Sequence, residues 1–190
     1  MRTGTTLVGQ LAAAFAAALF LVMLAAGACL AADGNLDDLY AQLADPDNSK
    51  WQRAESDIQR QWSRSGSPMM DLLLKRGQEA MQNGDLAAAI EHLTALTDHA
   101  PDFAEGWNAR ATAYFLAGLF GPSVADIEMT LSLNPHHYGA LAGLGIILEQ
   151  TGQDAAAMRA YRASLAIHPH QEGILEALER LEQKTSGTDL

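Results

Sequence analysis

The chain has a single cysteine, Cys29, among 190 residues. If Cys29 leaves with a leader segment, the mature chain holds no thiol. That excludes a disulfide and any thiolate metal centre. Basic residues are also scarce: 12 Lys+Arg face 23 Asp+Glu, for a formal net charge of −11. Neutralising nucleic-acid phosphates needs clustered Lys and Arg, so a nucleic-acid partner is excluded, and adhesion to anionic lipid is disfavoured. Aromatics make up only 6% and β-branched residues are few. The 48% hydrophobic content is dominated by Ala and Leu, the composition of an all-α chain with ample material for a core.

Charge is missing altogether from Leu11 to Ala32, "LAAAFAAALFLVMLAAGACLAA", and Arg2 is the sole charge before it. A positive start, an apolar middle and a small-residue exit describe a secretory signal peptide over 1–32. Cleavage is expected after Ala31 or Ala32, or after "AGA" before Cys29. "AGAC" resembles a bacterial lipoprotein box, although Ala26 stands where that box prefers an aliphatic residue. The run is also long enough to remain as a membrane anchor. On all three readings the chain is exported, to the periplasm or to a membrane facing it.

What the sequence does contain is a period. Pro101, Pro135 and Pro169 are 34 residues apart, as are Gly84, Gly118 and Gly152. Five more columns align at that spacing: Leu73/Trp107/Leu141, Gly77/Ala111/Gly145, Ala80/Tyr114/Leu148, Ala89/Ser123/Ala157 and Leu93/Ile127/Tyr161. Each copy reads as two helices. In the second copy Trp107, Ala111 and Tyr114 share one helical face, and Gly118 ends that helix. Val124, Ile127 and Leu131 form the next stripe, which Asn134-Pro135 stops. Asp102 and Glu105 read as a cap and its reciprocal partner. A two-helix unit cannot bury its apolar face alone, so the copies must stack.

This pattern resembles the tetratricopeptide repeat family, most clearly in "WNARATAYFLAGLFGPSVADIEMTLSLNP". The resemblance covers 70–171 as three repeats, about 70–103, 104–137 and 138–171. It implies an all-α, right-handed superhelix of helix-turn-helix repeats. Leu73 and Leu141 replace the usual Trp or Tyr, Ser123 replaces a usual Ala, and Pro122 enters a first helical turn, where proline is tolerated.

The flanks complete the organisation. Residues 172–184 read as a capping helix, with Ile174, Leu175, Leu178 and Leu181 inward and Glu172, Glu176, Arg180 and Glu182 outward. Residues 185–190 read as a flexible tail. Over 33–68, the stripes Leu36/Leu39/Tyr40/Leu43 and Trp51/Ala54/Ile58/Trp62 suggest a degenerate helical hairpin that shields the N-terminal face of the stack. Trp51 and Trp62 are expected to be packing anchors.

The remaining candidates for chemistry are thin. His136, His137, His168 and His170 sit at repeat junctions. A zinc site wants three or four ligands about 2 Å from the metal, whereas packed helices lie about 8–10 Å apart. These histidines are therefore expected to be exposed junction residues, with a His-based periplasmic metal-handling protein as the alternative. Gly139, Gly143 and Gly145 follow a helix, not the strand a phosphate loop needs. Asp and Glu read as a solvated surface, and no nucleophile is positioned, so neither catalysis nor a cofactor is expected.

What remains is a groove. In the family the first helices of successive repeats line a concave face that holds a peptide or partner helix. The resemblance places Asp71, Leu74, Gln78 and Met81 there from the first repeat, and Glu105, Asn108, Thr112 and Phe115 from the second. The third repeat supplies Gly139, Ala142, Ile146 and Glu149. Part of this lining is also expected to pack against the N-terminal hairpin. Lys75, Arg76 and Arg110 lie off these columns, which speaks against gripping a C-terminal carboxylate. The expected function is a non-enzymatic, exported scaffold for a protein or peptide partner. A membrane-tethered assembly subunit, held through the N-terminal segment, is the further alternative.

Overall fold

The computed structural model describes residues 36–186, and every regular element among them is a helix. The expectations for a signal peptide over 1–32 and for Cys29 lie outside the described residues. The chain divides into two compact units, 1–41 and 42–190. Of the first, only the opening turns of a helix over 36–44 (α1) are described.

The second unit contains α2 (Trp51–Trp62), three helical hairpins and a closing helix. The hairpins are α3 (Pro68–Gln82) with α4 (Leu86–His99), α5 (Ala104–Leu116) with α6 (Phe120–Leu133), and α7 (Tyr138–Gln150) with α8 (Asp154–Ile167). Helix α9 (Glu172–Ser186) packs on α8. Each second helix also meets the first helix of the next hairpin, and α3, α5 and α7 pack side by side. The result is a helical repeat solenoid.

The 34-residue columns have physical causes. Gly84, Gly118 and Gly152 all take a left-handed conformation, with φ of 76°, 72° and 75°. At the second of these, Leu119 N–H donates to Tyr114 O at 2.8 Å and Gly118 N–H to Phe115 O at 2.9 Å. That pair of bonds is a Schellman closure, and the αL residue it requires favours glycine. The proline column acts on its predecessor. Asn134 and His168 both leave the helix with extended backbone, at φ −138° and −136°, as a residue before proline must.

The small column explains the close approach of the paired helices. Gly77 lies against Leu93 and Gly145 lies against the ring of Tyr161. Ala111 and Ile127 belong to one buried cluster in the middle repeat. Small residues on the first helix thus receive bulky ones from the second. Ser123, the departure from alanine, donates its hydroxyl to the Ala111 carbonyl at 2.8 Å, so its polar atom is satisfied in the core.

Four expectations need correction. The N-cap of α5 is Phe103, with no side-chain cap bond, so Asp102 and Glu105 do not form a capping box. Glu105 is turned toward His137 instead. Leu175 is exposed and Ala177 takes its place on the buried face of α9, which runs on to Ser186 through two residues assigned to the tail. The acidic residues are not all solvated, because Asp126 is buried. Finally, α2 does not stand over the first repeat: its two tryptophans rest on residues at the starts of α7 and α9.

Candidate functional site: an inner groove bordered by α2

Two adjoining depressions open where α5 and α7 run side by side. The first, about 220 Å³, is apolar. Phe115 and Thr112 of α5 line one side, and Gly139, Gly143 and Ile146 of α7 the other, over a floor that includes Ala142 and Ile127. The floor is rigid because Ile127 and Ile147 belong to the buried core, and Phe115 is steadied by stacking on Phe120 at 5.8 Å. The room itself comes from glycine. A Cβ added at Gly143 would meet only Ile127, at an ordinary 3.8 Å, so packing does not demand glycine there. Its absence leaves the depression open.

The second depression, about 270 Å³, is polar and shares Asn108 and Gly139 with the first. Its walls are Gln59, Trp62 and Ser63 from α2 and its end, with Gln78, Glu105, His137 and Tyr138 from the repeats. Here α2 is bound through its aromatic ends. Trp62 stacks on His137 with ring centres 4.3 Å apart, and Trp51 stacks on His170 at 4.7 Å, nearly parallel. Between them Ala54 and Ile58 are buried, so the apolar stripe of α2 is fully used.

The junction histidines are therefore not exposed where it matters. His137 and His168 are each only 2% exposed. His137 caps α7: its Nδ1 accepts from Ala140 N–H at 3.0 Å, which leaves Nε2–H to face Glu105 Oε2 at 3.1 Å. His168 sits among Trp51, Tyr138 and His170, with Glu55 Oε1 3.4 Å from its Nε2 and no partner for Nδ1. Among the described residues no three His, Cys, Asp or Glu side chains converge to hold a metal ion.

Burial pushes the His168 pKa below the usual histidine range, the neighbouring His170 adds to this, and Glu55 opposes it. The unfolded chain takes up this proton from about pH 6.5 downward, while the fold resists it. Stability is thus lost as pH falls below that point toward the depressed folded value. Urea midpoints at about pH 7.5 and about pH 5.5 should differ less in His168→Phe than in the wild type. Equal differences in the two proteins would refute this role for His168.

The groove residues expected from the sequence fall into distinct environments. Asn108, Thr112, Phe115, Gly139, Ala142 and Ile146 line the apolar depression, and Gln78 and Glu105 the polar one. Leu74 is a correction: it is 3% exposed, inside the core with Leu93 and Leu96, and Met81 packs against the same cluster. Asp71 is occupied by Ser65, whose hydroxyl and N–H donate to its Oδ1 at 2.6 and 2.8 Å. Those bonds hold the Asp71 carboxyl below its ordinary pKa. Glu149 accepts from Arg180 at 2.6 Å and from the Tyr161 hydroxyl at 2.8 Å. Burial opposes its ionisation, but these donors outweigh it and hold the carboxyl below its usual range. The same setting, burial first, raises the Tyr161 phenol.

The sequence places some groove residues against the N-terminal hairpin, but it does not say which α2 side chains enter the site. Gln59 and Trp62 form a wall of the groove, and Gln59 Nε2 lies 3.4 Å from the Tyr138 hydroxyl.

The tetratricopeptide repeat pattern matches residues 74–121 and 123–172, just over half of the chain. The chain belongs to the tetratricopeptide repeat family. A TPR repeat-containing protein of Rhizobium etli is 34% identical over 155 residues, covering 80% of this chain and 75% of that protein. Solved TPR domains share the fold. The first TPR domain of human RPAP3 superposes with a TM-score of 0.60 at 21% identity, over 64% of this chain and 95% of that one. The first TPR of Spaghetti (RPAP3), solved with the HSP90 peptide SRMEEVD, gives 0.61 at 22% identity, over 63% and 98%.

Proposed function

We propose that this TPR protein is a non-enzymatic scaffold whose inner groove, between α5 and α7, holds an extended peptide or helix of a partner protein. The observation that carries the reading is the open apolar depression at Phe115, Thr112, Gly143 and Ile146, whose space packing does not require to be empty. An apolar channel on a rigid helical floor suits an amphipathic helix or an extended segment. A similar TPR domain solved with an HSP90 peptide supports a peptide as the kind of occupant, whatever its charge. The apolar depression is lined by the Asn108 carboxamide, the hydroxyl-bearing Thr112 and Ser123, and otherwise small and apolar side chains.

Phe115→Glu places a charge in the apolar depression at a half-buried position on the margin of the core cluster. Photocrosslinking from Thr112 in the native cell should give a defined partner with the wild type, and that partner's yield should drop about tenfold or more with Phe115→Glu. Glu128→Lys, on an exposed site of α6, should leave it unchanged. A crosslink that survives Phe115→Glu would refute the groove.

The uncharged run over 11–32 also leads us to propose export, with the repeats facing the periplasm. Intact mass of the native protein tests this: loss of about the first 32 residues, or a lipid on Cys29, supports it. A full-length chain recovered from the cytoplasm overturns it. Among the described residues no helix is long and apolar enough to cross a membrane.

A further inference from the structure

The polar depression beside α2 has a chemistry of its own. Its walls carry two aromatic rings, Trp62 and Tyr138, and the imidazole of His137. Between them lie the Glu105 carboxylate and the side-chain carbonyls of Gln59, Gln78 and Asn108. None of the residues lining it is Lys or Arg. Aromatic faces and carboxylate or carboxamide oxygens both attract a cation, and a desolvated ammonium or guanidinium held over an aromatic face is favoured. Glu105 has capacity left: Oε2 faces His137 at 3.1 Å, and Asn108 Nδ2 lies at 3.4 and 3.5 Å from its two oxygens. A carboxylate offers about four lone-pair sites. The whole chain, at net −11, adds attraction for a basic partner.

We infer that this depression takes a Lys or Arg side chain of the bound peptide, whose apolar side chain fills the neighbouring depression at Phe115 and Ile146. This rests on the groove reading above and gives it a partner class: a basic, apolar segment. The two depressions share Asn108 and Gly139, so the two anchors stand close. An extended chain advances about 3.3 Å per residue, which places them about two to four residues apart. Acidic peptides are disfavoured, because they would set a carboxylate against Glu105 with no cation to meet it.

The test is direct binding of the full chain to an array of synthetic peptides. Each carries one leucine or phenylalanine anchor, with Lys, Arg, Gln or Glu two to four residues away. The wild type should bind the Lys and Arg members about tenfold more tightly than the Glu members, and the gap should narrow as salt rises. Gln59→Lys, at an exposed position on α2, puts a cation at the mouth of the pocket and should erase or invert that preference. Glu105→Gln should reduce it while keeping a partner for His137. If the wild type binds all members alike through Phe115, the cation pocket is wrong and the groove stands. If no member binds and the Thr112 crosslink is also absent, the groove reading fails and this inference fails with it.

Discussion

Asp126→Ala should cost about 3 kcal/mol and lower the melting temperature by roughly 10 °C. Asp126 and Arg110 form a bidentate pair, with Nε to Oδ2 at 2.7 Å and Nη2 to Oδ1 at 2.8 Å. Their side chains are only 6% and 12% exposed. Arg110 Nη1 also reaches Thr97 Oγ1 at 2.8 Å, and its guanidinium lies 4.9 Å from the centre of Trp107. The bonds to Asp126, against a smaller penalty from burial, push Arg110 further above its already high pKa. It therefore cannot shed its charge when its partner is removed. A buried cation left alone is far more damaging than the loss of the pair as a whole. Arg110→Met with Asp126→Leu should accordingly recover most of the loss. Thermal melts of the single and double variants decide the matter. A double variant no more stable than Asp126→Ala would mean that the loss is one of packing rather than of an uncompensated charge.

Gly145→Leu should be equally severe, at about 3 kcal/mol or more, and should act on the third hairpin. A Cβ at Gly145 would lie inside van der Waals contact of Tyr161 Cδ1 and Cε1. The ring has nowhere to retreat, because it is buried and its hydroxyl is bound to Glu149. Two residues earlier the expectation reverses. Gly143→Ala meets only Ile127 at 3.8 Å, and it gains up to about 1 kcal/mol of helix propensity. Urea unfolding of both variants tests the pair: loss of stability in Gly143→Ala equal to that in Gly145→Leu would remove the distinction drawn between a packing glycine and a groove glycine.

That distinction shows what was legible in the sequence. Gly77, Ala111 and Gly145 recur every 34 residues because each must admit a bulky residue from the next helix. A cause that repeats leaves a periodic trace. Gly139 and Gly143 do not recur: Gly139 falls in the groove column of Asp71 and Glu105, and nothing in the sequence shows that Gly143 leaves open space. The groove was readable as two helix faces, at Asn108, Thr112, Phe115 and Ile146, since helical spacing alone decides which side chains point inward. Leu74 escaped that logic because it lies at the start of the stack, where α3 turns it into the core beside Leu93.

The parts that could not be read are those made by tertiary contact between dissimilar segments. Trp62 meets His137 across 75 positions and Trp51 meets His170 across 119, and no periodicity links them. The burial of His137 and His168 follows from those contacts, so their reading as exposed residues failed with the placement of α2. Asp126 and Arg110 are 16 residues apart, the same separation as the small and bulky columns of one hairpin. The pairing was therefore available to a search for opposite charges at that interval.

The position of α2 alters how this protein comes apart. In a stack where each repeat touches only its neighbours, the ends can fray one turn at a time and unfolding need not be concerted. Here α2 and the loop before it, at the beginning of the second unit, are clasped to the turn that opens its last helix, through Trp51 on His170 and the Asp45 carbonyl 3.1 Å from Nε2 of the same ring. Loosening that turn gives up contacts made by early and late segments of the second unit at once. Amide hydrogens at the start of α9 should then exchange in step with those of α2, as parts of one cooperative unit rather than as a free end.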